Sequence, residues 1–261
     1  MRENWIYIGA FVCLVFASCS NYNRIVKGDN YAEKFDLANS LYDEGEYLRS
    51  IVLYEQIYQH SPKSGEGELA YYRLGQSYYN SEDYYMAAYY LSSYVQRFPY
   101  SNKNEDVMFL AALCNVNNSP QASLDQTETN EAINSVQLFI DRYPNTKYLD
   151  SCNQIIDRLR FKLETKDYTH VTLYAKTEKY RAAVSAASIF LEKYPGSAYS
   201  EEVYYLMVKN SYFLAMNSIE SKKSQRIEDT YERMRNFEAV FKDSKYRKEL
   251  NTYINRLETK E

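Results

Sequence analysis

Four of the five prolines close segments that lie over one another. Tyr47 to Pro62 reads YLRSIVLYEQIYQHSP and Tyr84 to Pro99 reads YYMAAYYLSSYVQRFP. Thr129 to Pro144 reads TNEAINSVQLFIDRYP and Tyr180 to Pro195 reads YRAAVSAASIFLEKYP. Twelve residues before each proline stands a small side chain: Ser50, Ala87, Ala132, Ala183. Five before each stands a large one: Ile57, Tyr94, Phe139, Phe190. Apolar positions recur at three and four residues, the period of an amphipathic helix. Proline cannot continue the helix before it. The hydroxyl residue two places after three of these prolines, Ser101, Thr146 and Ser197, is expected to cap the helix that follows. A repeated proline stop on similar amphipathic segments restricts the chain to stacked helices.

The residues ahead of the second proline complete a unit. Tyr71, Leu74, Gly75 and Tyr78 belong to one helix, and Ala87, Leu91 and Pro99 to the next. This order resembles the tetratricopeptide repeat, W-x2-L-G-x2-Y…A-x3-F…P over about 34 residues, with Tyr71 in place of the Trp and Leu91 in place of the Phe. Gly75 and Ala87 are expected to face each other and let the two helices approach closely. A first, looser repeat holds Leu37, Ala38, Leu41, Ser50, Tyr54 and Pro62. A third starts with Val107, Leu110, Ala111 and Cys114, then carries an insertion from Asn117 to Glu128. The fourth has an extended first helix, since Lys147 to Thr177 contains neither Gly nor Pro; at 1.5 Å per residue it is about 45 Å long. A fifth pair runs from Ala198 to Met216 and from Gln225 to Phe241, and Ser244 to Glu258 reads as a capping helix. The expected fold is all-α: a tetratricopeptide-like, right-handed α-solenoid of about five helix pairs with a C-terminal capping helix.

Residues 1–18 read as a lipoprotein-type signal peptide. Arg2 precedes an uncharged run from Trp5 to Ala17, about 13 residues, too short to span a bilayer. The run ends in Val15-Phe16-Ala17-Ser18-Cys19, which resembles a lipobox and makes Cys19 the expected lipidation site. An ordinary cleaved signal with a chance cysteine is the alternative. Residues 19–29 are expected to form a lipidated tether, 30–146 to hold repeats one to three, and 147–261 repeats four and five with the cap. The covalent lipid on Cys19, palmitate-type acyl chains worth about 0.8 kcal/mol per buried CH₂, is the only prosthetic group expected. No acid stands among Ser20-Asn21-Tyr22-Asn23, which favours the outer membrane over retention at the inner one.

The net charge of −4 argues against a nucleic-acid partner. Charge is uneven: Asp29 to Glu46 is acidic apart from Lys34, and Lys222 to Lys248 is largely basic. These stretches read either as solvated helix faces or as two partner surfaces. Cys114 and Cys152 are expected as separate buried thiols, with a disulfide as the alternative that an exported compartment permits. Neither His60 nor His170 has a partner at ligand or triad spacing, and no Gly-rich phosphate loop exists. No metal site and no enzyme are expected.

Thirty tyrosines are unusual. Most serve as amphipathic helix filler, with a buried ring and a wet hydroxyl. In a tetratricopeptide stack the first helix of each pair lines the concave face. That rule selects Phe35, Asn39 and Tyr42 in the first repeat, Tyr72, Gln76 and Tyr79 in the second, and Met108, Ala112 and Asn115 in the third. Such an aromatic and amide groove, with Asp43 at its edge, suits an extended or helical peptide: tyrosine gives contact area at small rotamer cost, and amides pair with backbone.

Three stretches carry a more specific resemblance. They are FDLANSLYDEGEYLRSIVLYEQI, the Leu124-Asp125-Gln126-Thr127 insertion ahead of FIDRYPNTKY, and RLRFKLETKDYTHVTLYAKTEKYRAAV. With the lipobox and the repeats, they make the chain resemble the BamD family of β-barrel assembly lipoproteins. The resemblance implies a non-enzymatic scaffold on the periplasmic face of the outer membrane. Its N-terminal repeats would engage C-terminal targeting segments of unfolded outer-membrane barrel proteins. Its C-terminal repeats would contact the periplasmic POTRA domain of BamA nearest the barrel. Ala186 stands where some relatives place an arginine for that contact, so no residue is carried over for it. Two alternatives remain. One is another periplasmic tetratricopeptide scaffold in cell-envelope maintenance. The other is a glycan-binding SusD-like lipoprotein, although such proteins carry long insertions for which this chain has no room.

Overall fold

A computed structural model describes residues 21–258. Cys19 and the signal segment lie outside the described residues. Helix α1 covers 21–27. It is followed by α2 (Tyr31–Asp43), α3 (Tyr47–His60), α4 (Gly65–Asn80), α5 (Tyr84–Arg97), α6 (Asn104–Asn118) and α7 (Thr127–Arg142). Then come α8 (Leu149–Lys176), α9 (Tyr180–Lys193), α10 (Ser200–Met216), α11 (Glu220–Val240) and α12 (Arg247–Glu258). No strand occurs among the described residues.

The chain divides into two compact units: Met1–Pro120 with Gln126–Ile156, and Gln121–Asp125 with Asp157–Glu261. The division falls inside α8. In the first unit each helix from α2 to α7 packs on the next. In the second, Val171 of α8 packs with Val184, Ala187 and Phe190 of α9; α10 packs on α9 and α11, and α12 packs on α10 and α11. This is the tetratricopeptide-like, all-α succession of helix pairs with a terminal helix.

The proline register explains the helix ends. Helices α3, α5, α7 and α9 each stop two residues before their proline, at His60, Arg97, Arg142 and Lys193. The small residues Ser50, Ala87, Ala132 and Ala183 are buried, and so are Ile57, Tyr94, Phe139 and Phe190. Burying one large apolar side chain is worth about 1.5–3 kcal/mol. Tyr54 and Tyr94 are fully buried yet satisfied, because Tyr54 donates to Asn39 Oδ1 at 2.8 Å and Tyr94 to Glu68 at 2.6 Å.

One local expectation is sharpened and one corrected. A Cβ on Gly75 would lie 2.7 Å from Leu91 Cδ2, so glycine lets α5 approach and makes room first of all for the leucine one turn beyond Ala87. The hydroxyl residues after the prolines do not cap the next helix, since the position before α6 is Lys103 and the position before α10 is Tyr199. Instead each holds its own turn and clasps the pair behind it. Ser101, Thr146 and Ser197 accept from the N–H two residues on, of Lys103, Tyr148 and Tyr199. Their hydroxyls donate to Glu68, Glu105 and Glu164, near or within the first helix of the same pair.

A tyrosine two residues after such a hydroxyl is the second half of the device. Tyr148 stacks on Phe109 at 4.0 Å, Tyr199 on Tyr168 at 4.1 Å, and Tyr246, two after Ser244, on Tyr205 at 4.1 Å. Several of the many tyrosines are thereby assigned to holding helix pairs closed.

Residues 21–27, in the stretch expected as a tether, are helical and docked on the first repeat. Ile25 joins its core, and the Tyr22 hydroxyl donates to the Arg49 carbonyl at 3.1 Å. Lys34, the single base of the acidic stretch, is buried and donates to the Val26 carbonyl at 3.1 Å and to Gln56 at 2.6 Å. Cys114 and Cys152 are free, buried thiols, and burial pushes the Cys114 thiol up to about 12.

Candidate partner-binding face

The face selected from sequence lies within the first unit, on α2 and α4. Both helices are held at their starts by side-chain caps: Asn30 accepts from the Glu33 N–H at 3.2 Å and Ser64 from the Gly67 N–H at 3.0 Å. All six singled-out residues, Phe35, Asn39, Tyr42, Tyr72, Gln76 and Tyr79, are half-buried, so each shows part of its surface.

Tyr42 links the two helices. Its hydroxyl accepts from Asn80 at 3.1 Å, and the Arg73 guanidinium sits 4.3 Å from its ring centre. Tyr72 accepts from Gln76 at 2.9 Å, and burial raises its phenol above the ordinary value, so it stays neutral. Tyr79 meets Tyr84 edge-on at 5.5 Å and accepts from Asn117 at 3.5 Å. Asn39 spends its carbonyl oxygen on Tyr54, which leaves its amide hydrogens for other partners. Phe35 packs on the first core cluster. In the third repeat Asn115 donates to Ser135 at 2.7 Å, while Ala112 is buried and offers no surface.

Arg73 was not singled out in the sequence. It stands one residue from Tyr72 and brings a cation into an aromatic face. Arg73 Nε and Gln76 Oε1 are buried without a hydrogen-bond partner among the described residues. Leaving such a group unsatisfied costs about 1–3 kcal/mol. The face therefore combines rings, amides and one guanidinium whose polar groups the chain does not fully satisfy. That chemistry fits a peptide, with rings for its side chains and donors and acceptors for its backbone.

The basic stretch near the end lies in the second unit. Part of it is neutralised: Arg235 pairs with Glu228 at 3.0 Å and Arg247 with Glu238 at 3.2 Å. Arg226 and Arg233, the latter 3.9 Å from Asp229, join Arg181 around a hollow of about 380 Å³ that also holds Ser185, Ser188 and Asp229. A second hollow in that unit, about 430 Å³, is lined by Tyr180, Phe213, Tyr253, Lys209, Glu178 and Glu202. No group of His, Cys, Asp and Glu suited to a metal ion occurs among the described residues. No described helix is long and apolar enough to cross a membrane.

Helix pairs closed by proline stops, with an aromatic and amide face on their first helices, define a helical-repeat protein of the tetratricopeptide type. Sequence comparison narrows the class. The profile of the YfiO family, described as outer membrane lipoprotein, matches residues 29–225. The chain belongs to this family and is a lipid-anchored protein of the outer membrane. Curated proteins similar to this chain include several named outer membrane protein assembly factor BamD. That of Caulobacter vibrioides is 20% identical over 182 residues, covering 70% of this chain and 59% of that protein. That of Xylella fastidiosa is 22% identical over 178 residues, covering 63% and 60%. That of Pasteurella multocida is 20% identical over 229 residues, covering 84% and 88%. The chain thus spans about three fifths of the length of the first two relatives.

Proposed function

We propose that this protein is a non-enzymatic scaffold of the outer-membrane β-barrel assembly machinery, attached by lipid at Cys19 and facing the periplasm. Its role is to hold unfolded outer-membrane β-barrel proteins by their targeting segments and to join them to BamA through a periplasmic POTRA domain. The carrying observation is the α2–α4 face, where Tyr42, Tyr72 and Tyr79 stand beside Arg73 and two amides. An unfolded barrel segment alternates apolar and polar residues, and its unpaired backbone needs partners. Rings for one and amides for the other match that chemistry. Membership of an outer membrane lipoprotein family and similarity to BamD-named assembly factors support the same reading.

The BamA contact is assigned to repeats four and five. Support comes from the arginine-lined hollow of the second unit, where Arg181, Arg226 and Arg233 stand against Asp229 alone and supply a net positive charge that Ala186 does not. Co-purification from detergent-solubilised membranes tests the assignment. BamA is expected to be retained by the full chain and lost on Arg181→Glu/Arg226→Glu. Absence of BamA from the wild-type eluate, with other envelope proteins in its place, would direct the reading to a different periplasmic scaffold.

A further inference from the structure

The outer positions of the second helix of each pair carry a pattern that neither the core nor the α2–α4 face uses. Fourteen and ten residues before the closing proline stand Leu48 and Val52 in α3, and Tyr85 and Tyr89 in α5. The same two places hold Asn130 and Asn134 in α7, and Arg181 and Ser185 in α9. All eight are exposed. Leu48 is 72%, Tyr85 67% and Tyr89 59% exposed, with Met86 exposed beside them. The fold thus points the same register outward in four helices, and only the first two fill it with apolar side chains. Single exposed apolar residues such as Leu138 and Ile189 are ordinary on any surface. Paired ones on two neighbouring helices form a patch. The two helices are joined on this side: Tyr90 donates to Glu55 at 3.0 Å, and Tyr89, Tyr58 and Arg97 line one hollow of about 220 Å³ between α3 and α5.

The place where the chain enters this patch names its occupant. Helix α1 is fixed to α3 by Tyr22, whose hydroxyl bonds the Arg49 carbonyl at 3.1 Å and whose ring lies 4.4 Å from the Arg49 guanidinium. Arg49 is the neighbour of Leu48. Cys19 is two residues before Asn21, so an acyl-bearing sulfur there is tied within about 7 Å of backbone reach to this end of the first repeat. With an acyl chain on Cys19, a bilayer surface would lie near the end of α3 that carries Leu48 and Arg49.

We propose that the outer face of α3 and α5 rests on the phospholipid surface, with Leu48, Val52, Tyr85, Met86 and Tyr89 in the interfacial layer. The inference rests on lipid attachment at Cys19 and is independent of the peptide-binding face. Tyrosine suits this layer because its ring is apolar and its hydroxyl remains among headgroups. The patch need bind only weakly, since the anchor supplies a high effective concentration of membrane. Glu46 and Asp83 flank the two helix starts, so the matching lipid is zwitterionic and the contact is insensitive to salt. The contact also orients the body, turning the opposite, first-helix face away from the membrane.

Tryptophan fluorescence of the full acylated protein tests this. The only native tryptophan, Trp5, lies in the signal segment, so a substituted tryptophan reports alone. Leu48→Trp, Tyr85→Trp, Asn134→Trp and Ser185→Trp proteins are reconstituted into phosphatidylethanolamine and phosphatidylcholine vesicles with brominated acyl chains. Quenching at 48 and 85 is expected to exceed that at 134 and 185 by at least about threefold, with no change at high salt. Equal quenching at all four sites, or none at 48 and 85 in acylated protein, overturns the proposal. Bromine-insensitive emission accompanied by a dimer in sedimentation overturns it in favour of a second copy. A mass spectrum without acyl chains overturns the anchor reading, and the proposal with it.

Discussion

The Ser101 hydroxyl donates to the Glu68 carboxylate at 2.7 Å across 33 residues, so the end of the second helix pair is tied back to its beginning. The buried Tyr94 donates to the same carboxylate oxygen at 2.6 Å. These two donors hold Glu68 below the ordinary glutamate range, Tyr94 first and Ser101 second. A carboxyl with a depressed folded-state pKa contributes stability above its unfolded pKa and loses it as pH falls through the folded value. Glu68→Gln should therefore be less stable than wild type at pH 7, and the gap should narrow below about pH 4.3. Urea midpoints at pH 7, 5, 4 and 3 check this. A gap unchanged down to pH 3 would show that Glu68 acts by packing alone.

Glycine positions in α4 separate space from propensity. A Cβ on Gly67 would lie 2.0 Å from the Ser61 carbonyl oxygen, a backbone atom that cannot step aside. Gly65, two residues earlier, has nothing within 4 Å. Gly67→Ala is expected to destabilise by about 2 kcal/mol or more, whereas Gly65→Ala should stabilise by up to about 1 kcal/mol. Denaturant midpoints moving in opposite directions are the expected result. Two shifts of the same sign would contradict the close approach at Ser61.

Three turns between the helices of a pair use the left-handed region at the same place. Gly45 has φ 82°, Glu82 φ 64° and Glu178 φ 57°. Only glycine occupies this region without steric cost, which is about 1–2 kcal/mol for other residues. Glu82→Gly and Glu178→Gly should each raise stability, by about 0.5–1 kcal/mol after the added freedom of the unfolded chain is counted. Thermal unfolding of each variant measures it. A loss of stability would mean that the glutamate side chain makes up for its backbone.

Much of this architecture was legible because proline stops, small residues and large residues recur at fixed offsets, and each offset is one burial environment. What escaped depends on contacts that no periodicity encodes. The side chain nearest Gly75 is Leu91, one turn beyond Ala87, because spacing identifies the helices that approach but not which side chain fills the space. Ser101, Thr146 and Ser197 were recognised as a set, yet their acceptors are 33 to 41 residues away, so the clasp shows only when the pair is folded. The segment 21–27 has little apolar character beyond Tyr22, Ile25 and Val26, and its helix is visible only through the core it joins. Arg73 lies beside, rather than on, the repeat positions that select a groove, so no spacing marks it.

The α2–α4 face is proposed to hold barrel targeting segments, and titration with such a segment decides the matter. Buried aromatic anchors typically contribute 2 kcal/mol or more, about thirtyfold in affinity. Fluorescence titration of a labelled peptide from a barrel C-terminus is made against wild type and against Tyr72→Ala/Tyr79→Ala, with circular dichroism to verify folding. A loss of about thirtyfold or more is expected in the double variant, with BamA co-purification retained. An unchanged peptide affinity in a folded double variant would contradict it.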